Sequence, residues 1–543
     1  MSFSRIFSGS IRLSVSRDFL ERVRLFLERR GAWIVAVVLS AVSVWMFVHF
    51  YENGLGLAYN DARSHLDIGR RVVEGLEPGM AQLGSVWLPL THLLMGLTIW
   101  NDFMWHSGLA GAVQSMIAFV GTGVCIYLFL RELGVGLFGR FVGVAIFATN
   151  LNILYLQSTA MTELMLLGTM TAGAYSFFVW YKRQHFVWLL ASAFWIMLST
   201  LVRYDGWFLF LFAGLLLLLS VWYKRGFRVA EGTAVLFATL GGFGVFLWFL
   251  WNLLIFGDPF YFAFGPYSAH AQQDQLEAAG VLATKHNWFL STKIYFYALA
   301  YNTGAFTLFL GIAGAIMLAF DRLLPKRVRY AALILLAPLL FNVLALYLGH
   351  SVLFIQGLSG NTWFNVRYGV MMMPSIAILV GYLIDRTRSM RPVLVGALVA
   401  LLFFSYSSVD AVTIDDGRVG SSQKNVTEVS AWLHEHTSDK EGYILISAAS
   451  HDSIIFSSGL PMSRFIHEGA GPYYKSAIIE PDRWARWIVV RSNSDDDSTW
   501  RQLKNNPGFT ERYHLVDHYP FADIYELDAA YLPYLVTEPV FEK

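Results

Sequence analysis

Charged residues and cysteine are scarce in this sequence. Only 15% of its 543 residues are Asp, Glu, Lys or Arg, whereas 56% are hydrophobic and 16% are aromatic. A water-soluble core cannot bury that much apolar surface, so most of the chain is expected to lie in lipid. The net charge of +1 gives no sign of a nucleic-acid partner. The single cysteine, Cys125, cannot form an intrachain disulfide and is expected to be an inert packing residue.

Eleven apolar runs are long enough to be membrane spans. A transmembrane helix needs roughly 17 to 25 apolar residues. The first run follows a basic N-terminus and is too long for a typical signal-peptide core, so we expect it to be retained. The predicted spans are 32–50, 108–130, 140–156, 164–181, 187–202, 207–223, 231–255, 296–320, 330–348, 368–385 and 393–409.

Every second loop between these runs is short and rich in Lys and Arg, which is typical of cytoplasmic loops. The intervening loops are therefore expected outside, and an odd number of spans places the C-terminus outside as well. The apolar segment Val86–Trp100 contains Pro89 and is shorter than a bilayer requires. We interpret it as an interfacial or re-entrant helix of the first external loop. The predicted external loops are 51–107, 157–163, 203–206, 256–295 and 349–367.

The chain divides into three predicted parts: a basic cytoplasmic N-terminus at 1–31, a transmembrane domain at 32–410, and an extracytoplasmic domain at 411–543. The last part alternates an amphipathic helix at 425–437 with apolar strands, which indicates a small α/β domain. Its strands are predicted in YILISAA, WIVVRS and FADIYEL, Asn425 begins a glycosylation sequon, and Asp495 to Asp497 mark a solvated loop. The predicted fold class is a polytopic α-helical membrane protein with a small C-terminal α/β extracytoplasmic domain.

The first external loop opens with Asp61 and His65. If this segment is helical, the two side chains share one face. A carboxylate beside an imidazole can be a general base, half of a metal site or a surface ion pair. The second external loop ends at Glu163, beside an apolar run. A carboxylate there is costly unless it faces a polar cavity or caps the helix.

Two arginines stand in later external loops. Arg203 lies two residues from Asp205 and could simply pair with it. Arg367 lies at the outer mouth of a late span, where it could extend toward the headgroups or bind an anion. Arginine binds phosphate through two hydrogen bonds and keeps its charge, so Arg367 is a candidate for a lipid phosphate. The fourth external loop, 256–295, is long enough to be a lid, although it could be a plain polar loop.

The order of these motifs resembles the GT-C glycosyltransferases, a superfamily that includes protein O-mannosyltransferases, aminoarabinose transferases and oligosaccharyltransferases. The shared features are an Asp-containing first external loop, Thr162-Glu163 in the second, Arg367-Tyr368 before a span with Pro374, and an outer soluble domain. The resemblance implies inverting transfer of a sugar from a polyprenyl-phosphate-linked donor, at the outer face of the plasma (inner) membrane. One departure is that Ala62 follows Asp61, where many relatives have a second acid, so His65 or Asp67 is expected to supply the missing polar function.

The resemblance also implies roles for individual residues. Asp61 matches the catalytic carboxylate, and Arg367 with Tyr368 lies near the donor phosphate, with Arg203 as a weaker second cation. Glu163 and His65 would orient the acceptor or, with Asp61, bind a divalent ion such as Mn²⁺, Mg²⁺ or Zn²⁺. The acceptor could be a protein, a glycan or a lipid.

Two other functions remain open: a lipid or sugar transporter (or flippase), and a catalytically inactive membrane scaffold. Transporters tend to show internal repeats and ionisable residues near the middle of the membrane. No repeat is found here, and the polar residues gather at one face. If the protein were only a scaffold, nothing would explain why Asp61, Glu163 and Arg367 are all predicted on the same side of the membrane.

Overall fold

The computed structural model describes residues 17–265, 268–278, 280–409, 411–420, 426–492 and 494–540. In this part of the chain seven helices are long and apolar enough to cross a membrane, or up to nine if two bent pairs each count as one span. The chain therefore has a multi-pass membrane fold. The seven helices are Glu21–Glu52, Leu109–Glu132, Glu163–Arg183, Asp205–Arg225, Lys326–Leu348, Val366–Arg386 and Arg391–Val419. In the last of these, the described residues form a long apolar helix, Arg391–Ser408, followed by a separate short one, Val412–Val419.

These seven helices coincide with seven of the predicted spans, but the count of eleven is not confirmed. Two other predicted spans are short apolar helices, and a third is a pair of helices bent by 48°. The predicted span 140–156 ends early because its helix stops at Ala148. The helices concerned are Leu137–Ala148, Leu151–Leu156, Phe186–Thr200, Phe227–Gly241 and Phe243–Phe256.

The predicted span 296–320 is not one continuous helix. Helices Trp288–Thr303 and Ala305–Phe320 meet at 111°. Gly304 joins them with a φ of 80°, a left-handed conformation that glycine adopts without steric cost. The first helix of the pair packs against the 3-10 helix Val366–Met372, which begins the late span Val366–Arg386.

The predicted first external loop, 51–107, folds into one long helix and several short ones. Helix Asn60–Val73 is strongly amphipathic and buries Ala62 and Leu66 completely. It packs on helix Leu90–Met95, a helix of six residues within the apolar segment Val86–Trp100. No described helix of this segment has the length of a membrane span. The loop also contains helices Met80–Leu83 and Asp102–His106.

The C-terminal domain contains a five-stranded sheet in the order β2-β1-β3-β5-β4. Strand β1 pairs in parallel with β2 and β3, whereas β5 runs antiparallel to β3 and β4. The predicted α/β domain is thus confirmed, although β2 and β4 were not predicted from the sequence. The strands are Tyr443–Ile446, Phe465–Ile466, Ala485–Val490, Tyr513–His518 and Asp523–Leu527.

Helices connect the strands of this sheet along the chain. The amphipathic helix predicted at 425–437 is present as Thr427–Thr437. The sequon residue Asn425 and the basic residues at 1–16 lie outside the described residues. In the predicted acidic loop, Asp497 caps a helix by accepting from the backbone N–H groups of Thr499 and Trp500 at 2.9 and 3.0 Å. The longer helices of this region are Val412–Val419, Thr427–Thr437, Ala448–Ser458, Gly471–Ile479 and Ser498–Leu503.

The C-terminal domain sits on the first external loop. Helix Ala448–Ser458 packs against helix Asn60–Val73. Across this contact, Nη1 of Arg71 lies 2.8 Å from Oδ1 of Asp452, and both side chains are 11% exposed. The sheet is therefore held on the same side of the molecule as the candidate site.

Candidate active site

Arg367 is the centre of a buried cluster of charges. Its Nη2 lies 2.6 Å from Oδ2 of Asp61, and its Nε lies 3.0 Å from Oε1 of Glu163. A third carboxylate, Asp416, has its Oδ2 3.6 Å from Nη1. The Arg367 side chain is only 4% exposed. A buried guanidinium is costly unless it is paired, and here three carboxylates surround it.

The backbone around Arg367 is fixed by a left-handed turn and by a neighbouring helix. Asn365 has a φ of 54°, which Asn tolerates better than most residues, and its side-chain amide donates to the carbonyl of Val352 at 3.0 Å. The side-chain amide of Asn302 donates to the carbonyl of Val366 at 2.7 Å. At Gly369, an added Cβ would lie 2.3 Å from a backbone oxygen of the same helix as Asn302. The guanidinium is thus presented from a rigid, closely packed segment.

Glu163 and Arg203 extend the cluster. Glu163 is completely buried, and its Oε1 also lies 3.4 Å from Nη1 of Arg203. Nε of Arg203 lies 3.4 Å from Oδ2 of Asp205, so the local pair predicted as an alternative does form. The guanidinium of Arg203 also lies over the ring of Tyr368, 4.7 Å from its centroid. The alternative for Glu163, a capping box with Thr159 or Ala160 near the N-cap and Glu163 at the third helical position, is wrong, because the helix begins at Glu163 itself.

Tyr59 forms one wall of the cluster. The guanidinium of Arg367 lies 4.8 Å from the centroid of its ring. Its single O–H is shared between two acceptors, the carbonyl oxygen of Thr413 at 2.8 Å and Oδ2 of Asp416 at 3.0 Å. Burial raises the pKa of Tyr59 well above its ordinary value, and the charge of Asp416 raises it further.

Sequence reasoning missed Tyr59 and Asp416 as members of the cluster. Tyr59 stands two positions before Asp61, so proximity to that motif was an available signal. Asp416 carries no such signal, because it lies far along the chain in the segment after the last apolar run. Only the packing of helix Val412–Val419 against the membrane domain brings it to Arg367.

Exposure differs sharply across the cluster. The side chain of Asp61 is 34% exposed and that of Arg203 is 21% exposed, whereas Glu163 and Asp416 are completely buried. A reactant arriving from outside therefore meets Asp61 and Arg203 first. With Asp205 included, the cluster holds four carboxylates and two guanidiniums. When all are ionised, the excess of negative charge favours binding of protons or cations.

His65 lies in the same helix as Asp61, as predicted, but its hydrogen bond goes elsewhere. Its Nδ1 lies 2.9 Å from Nε2 of His92, and its ring centroid lies 4.3 Å from that of Trp87. Burial lowers the pKa of His65 to about 3, with smaller contributions from nearby arginines. His65 is therefore neutral at physiological pH.

Asp67 turns away from the cluster. Its Oδ1 accepts a hydrogen bond from Nε1 of Trp105 at 3.2 Å. Burial raises its pKa, and the neighbouring Asp452 of the C-terminal domain raises it further. Neither His65 nor Asp67 therefore stands beside Asp61 as a second acid.

The described residues contain no group of three His, Cys, Asp or Glu side chains that could hold a metal ion. The reason is visible in the proposed donor set. Asp61 and Glu163 both bond to the guanidinium of Arg367, so a cation already bridges them. His65 faces His92. The set of Asp61, His65 and Glu163 does not fit a metal ion in this arrangement.

A small apolar cavity lies between helices of the membrane domain. Its volume is about 30 Å³, roughly the space of one water molecule. Met371 and Pro374, which follow Tyr368 on the same segment, are among its lining residues. Its other lining residues include Leu167, Met170, Leu209, Leu335 and Ile378.

Part of the predicted fourth external loop, 256–295, packs near Arg203. This part lies between helices Phe243–Phe256 and Trp288–Thr303. Phe262 stacks on Tyr204, the neighbour of Arg203, with ring centroids 6.0 Å apart. The segment contains the short helices Tyr261–Phe264 and Ala269–Ala278. Tyr267 and the side chain of Gln272 lie outside the described residues.

Comparison with known proteins gives a likeness in structure but not in sequence. No family model matches the chain, and no curated protein matches it. The structure is similar to ArnT from Cupriavidus metallidurans bound to undecaprenyl phosphate, with a TM-score of 0.55 and 13% identity over 92% of this chain and 99% of that one. It is similar to the same ArnT in the apo state, with a TM-score of 0.53 and 13% identity over 93% of this chain and 99% of that one.

A more distant likeness is to the Archaeoglobus fulgidus oligosaccharyltransferase in complex with Zn and sulfate. Its TM-score is 0.47, with 14% identity over 84% of this chain and 67% of that one. The two ArnT structures share the fold of this chain, and the predicted class, a polytopic α-helical membrane protein with a small C-terminal α/β domain, is confirmed.

Proposed function

We propose that this protein is an inverting glycosyltransferase, which moves a sugar from a polyprenyl-phosphate-linked donor to an acceptor at the outer face of the plasma membrane. The observation that carries the proposal is the convergence of Asp61, Glu163, Arg203 and Arg367 on one partly open site. These residues come from four separate loops. The shared fold adds support, because one ArnT structure is described as bound to undecaprenyl phosphate.

Asp61 is the proposed base. It is the most exposed carboxylate around Arg367, so an acceptor hydroxyl can approach it from outside. As Asp61 takes the proton, the acceptor oxygen attacks the anomeric carbon from the side opposite the phosphate. The bond between that carbon and the phosphate oxygen breaks, and the lipid phosphate leaves with the electron pair. The anomeric configuration is inverted.

The two arginines would stabilise the leaving phosphate together. Arg203 is the more accessible one, and its contacts with carboxylates at 3.4 Å are long enough to be exchanged for contacts with phosphate. Arg367 is more tightly bound and would supply a fixed positive charge behind it, beside Tyr368.

Glu163 and His65 are proposed to orient rather than to react. Glu163 holds both guanidiniums through a single oxygen. His65, neutral and packed on Trp87, would contribute a hydrogen bond beside an aromatic ring, and sugars commonly stack on such rings. The acceptor is proposed to be a protein, a glycan or a lipid. The N-terminus is proposed to be cytoplasmic and the C-terminal domain to lie outside.

The test is a transfer assay with the purified full-length protein in lipid vesicles. Labelled polyprenyl-phosphate hexoses and pentoses are offered with extracted cell-envelope acceptors, and nucleotide sugars serve as controls. We expect label to move to the acceptor only from a polyprenyl-phosphate donor, and added undecaprenyl phosphate to inhibit as a product. Movement of intact donor across the bilayer would instead indicate a flippase. Neither transfer nor movement would indicate a scaffold.

A further inference from the structure

Trp87 is an exposed aromatic residue in the predicted first external loop. It keeps 36% of its surface exposed, although its ring rests on that of His65 with the centroids 4.3 Å apart. The two ring planes are tilted by 42°. His65 lies one turn after Asp61 on helix Asn60–Val73. Trp87 therefore stands beside the helix that carries the proposed base.

The backbone on both sides of this exposed ring is tied to the segment around Arg203. The hydroxyl of Tyr204 donates to the carbonyl oxygen of Val86 at 3.4 Å. The backbone N–H of Leu90 donates to the carbonyl oxygen of Leu201 at 3.0 Å. The ring is thus placed between the helix of the proposed base and the loop of the more accessible cation.

The sugar that is transferred must occupy the space between these two groups. In the proposed reaction, the anomeric carbon is bonded to a phosphate oxygen on one side and is attacked by the acceptor oxygen on the other. The phosphate is assigned to Arg203 and the attacking oxygen to Asp61, so the sugar ring has to lie against the surface that joins them. Trp87 offers an aromatic face on that surface.

An aromatic ring suits a sugar because both have an apolar face. Many sugar rings carry several C–H bonds on one side, and these bonds pack against the negative face of an aromatic ring. The hydroxyl groups at the edge of the sugar then stay free for hydrogen bonds. A hydroxyl that pointed into the aromatic face would lose its hydrogen bonds to water without gaining a partner. The contact therefore discriminates between sugars as well as holding them.

We propose that Trp87 is the platform on which the donor sugar stacks, and that it selects donors whose sugar presents a continuous face of C–H groups. This inference rests on the proposed function, because it takes the positions of the phosphate and of the acceptor oxygen from it. It adds a residue that recognises the sugar itself. The residues that recognise the lipid phosphate are separate from it.

The first test is a binding titration with the purified protein in lipid vesicles, and it needs no transfer. Undecaprenyl phosphate is compared with whichever of a panel of undecaprenyl-phosphate hexoses and pentoses the wild type binds most tightly. Trp87→Leu keeps an apolar side chain without a ring. It is expected to weaken binding of the sugar-bearing lipid about threefold to tenfold and to leave binding of undecaprenyl phosphate unchanged. Trp87→Phe keeps an aromatic face and should retain most of the affinity.

Trp100→Leu is the matched control, because Trp100 is exposed in the same predicted loop and its indole N–H donates to a carbonyl within that loop. This variant should bind both lipids as the wild type does. Equal weakening of both lipids by Trp87→Leu would overturn the proposal, because a membrane anchor or a structural residue would act in that way. Equal affinity of Trp87→Leu and Trp87→Phe for the sugar-bearing lipid would also overturn it. If Trp87→Leu does not accumulate, Trp87→Met removes the ring in its place.

The second test separates this inference from the proposed function. In the transfer assay, Trp87→Leu should raise KM for the donor more than it lowers kcat. Sugar-selective weakening of binding, with no transfer by the wild type, would support the platform and contradict the proposed function. Transfer by the wild type, with no sugar-selective weakening in Trp87→Leu, would overturn the platform and leave the proposed function standing.

Discussion

Arg367 and Arg203 are both cations of the cluster, but they differ in how closely they are enclosed. Arg367 is 4% exposed and touches three carboxylates, whereas Arg203 is 21% exposed and makes longer contacts. A buried cation that compensates several anions contributes mainly to stability. A more open one can exchange its partners for a ligand. Removal of Arg367 and removal of Arg203 should therefore have different effects on stability and on phosphate binding.

Arg367→Ala is expected to destabilise the protein by about 3 to 5 kcal/mol, because it leaves buried carboxylates without their partner. Arg203→Ala should destabilise the protein clearly less than Arg367→Ala does, but it should weaken binding of undecaprenyl phosphate about tenfold or more. Thermal unfolding in detergent and a lipid-binding titration measure the two effects. Equal destabilisation with equal loss of binding would refute this division of roles.

The residue-level prediction from sequence succeeded where motifs stood at the ends of apolar runs. Four residues were selected by this position, and the structure brings them together: Asp61, Glu163, Arg203 and Arg367. Their chemical roles remain predictions. Asp416 could not be found in this way, since its position depends on tertiary packing. The partner of His65 could not be found either, because His92 lies on a different short helix.

Among the elements, the 3-10 helix Val366–Met372 depends on close contact with helix Trp288–Thr303. Gly369 permits that contact, since an added Cβ would lie 2.3 Å from the carbonyl oxygen of Ala298 and 2.5 Å from Nδ2 of Asn302. Overpacking of this kind forces the backbone to shift. Such a shift would displace Arg367, two residues away.

Gly369→Ala is therefore expected to destabilise the protein by about 1 to 3 kcal/mol and to reduce transfer. Gly396→Ala is the control, because an added Cβ there meets no heavy atom within 4 Å. Both variants are compared by thermal unfolding and by initial transfer rate. Normal transfer by Gly369→Ala would show that the contact does not position Arg367.

The contact between helices Asn60–Val73 and Ala448–Ser458 is expected to depend on pH. Burial raises the pKa of Asp67 and that of Asp452 in the folded protein. The folded state therefore binds the proton more tightly than the unfolded state. This stabilisation is complete below the unfolded pKa of about 4 and is lost as pH rises through the raised folded pKa.

In Asp67→Asn a neutral amide replaces a carboxyl group that must be protonated to be neutral. The amide keeps an oxygen that can accept the hydrogen bond from Trp105. It should be more stable than the wild type at pH 8 by about 1 kcal/mol, and the difference should shrink toward pH 4. Asp439→Asn, at an exposed position, should show no such trend. Thermal unfolding across this pH range provides the measurement. A variant less stable than the wild type at pH 8 would contradict the assignment.

Element prediction succeeded for long apolar helices because their length and composition carry the signal. It failed at the break at Gly304, because a single glycine within an apolar run does not by itself show that the chain reverses. Strand β2 was missed because it is only two residues long. Strand β4 was missed because most of its residues are partly or fully exposed and so lack an apolar pattern.

At the scale of the whole molecule, the proposed function requires the candidate site and the C-terminal domain to lie outside the cell. In a Cys125→Ser background, a membrane-impermeant maleimide should label Lys440→Cys in intact cells. Arg388→Cys, in a predicted cytoplasmic loop, should be labelled only after permeabilisation. Both positions are exposed. The reverse pattern would overturn the topology and the proposed side of the reaction.

The central claim is that this membrane protein transfers sugars from a lipid phosphate with Asp61 as the base. The most direct measurement is the initial rate of sugar transfer from a labelled polyprenyl-phosphate donor by the wild type, Asp61→Asn and the exposed control Asp258→Asn. Asp61→Asn is expected to be slower by about 10²- to 10⁴-fold, since the amide cannot accept the proton. Asp258→Asn should match the wild type. Transfer by Asp61→Asn at the wild-type rate would contradict the account.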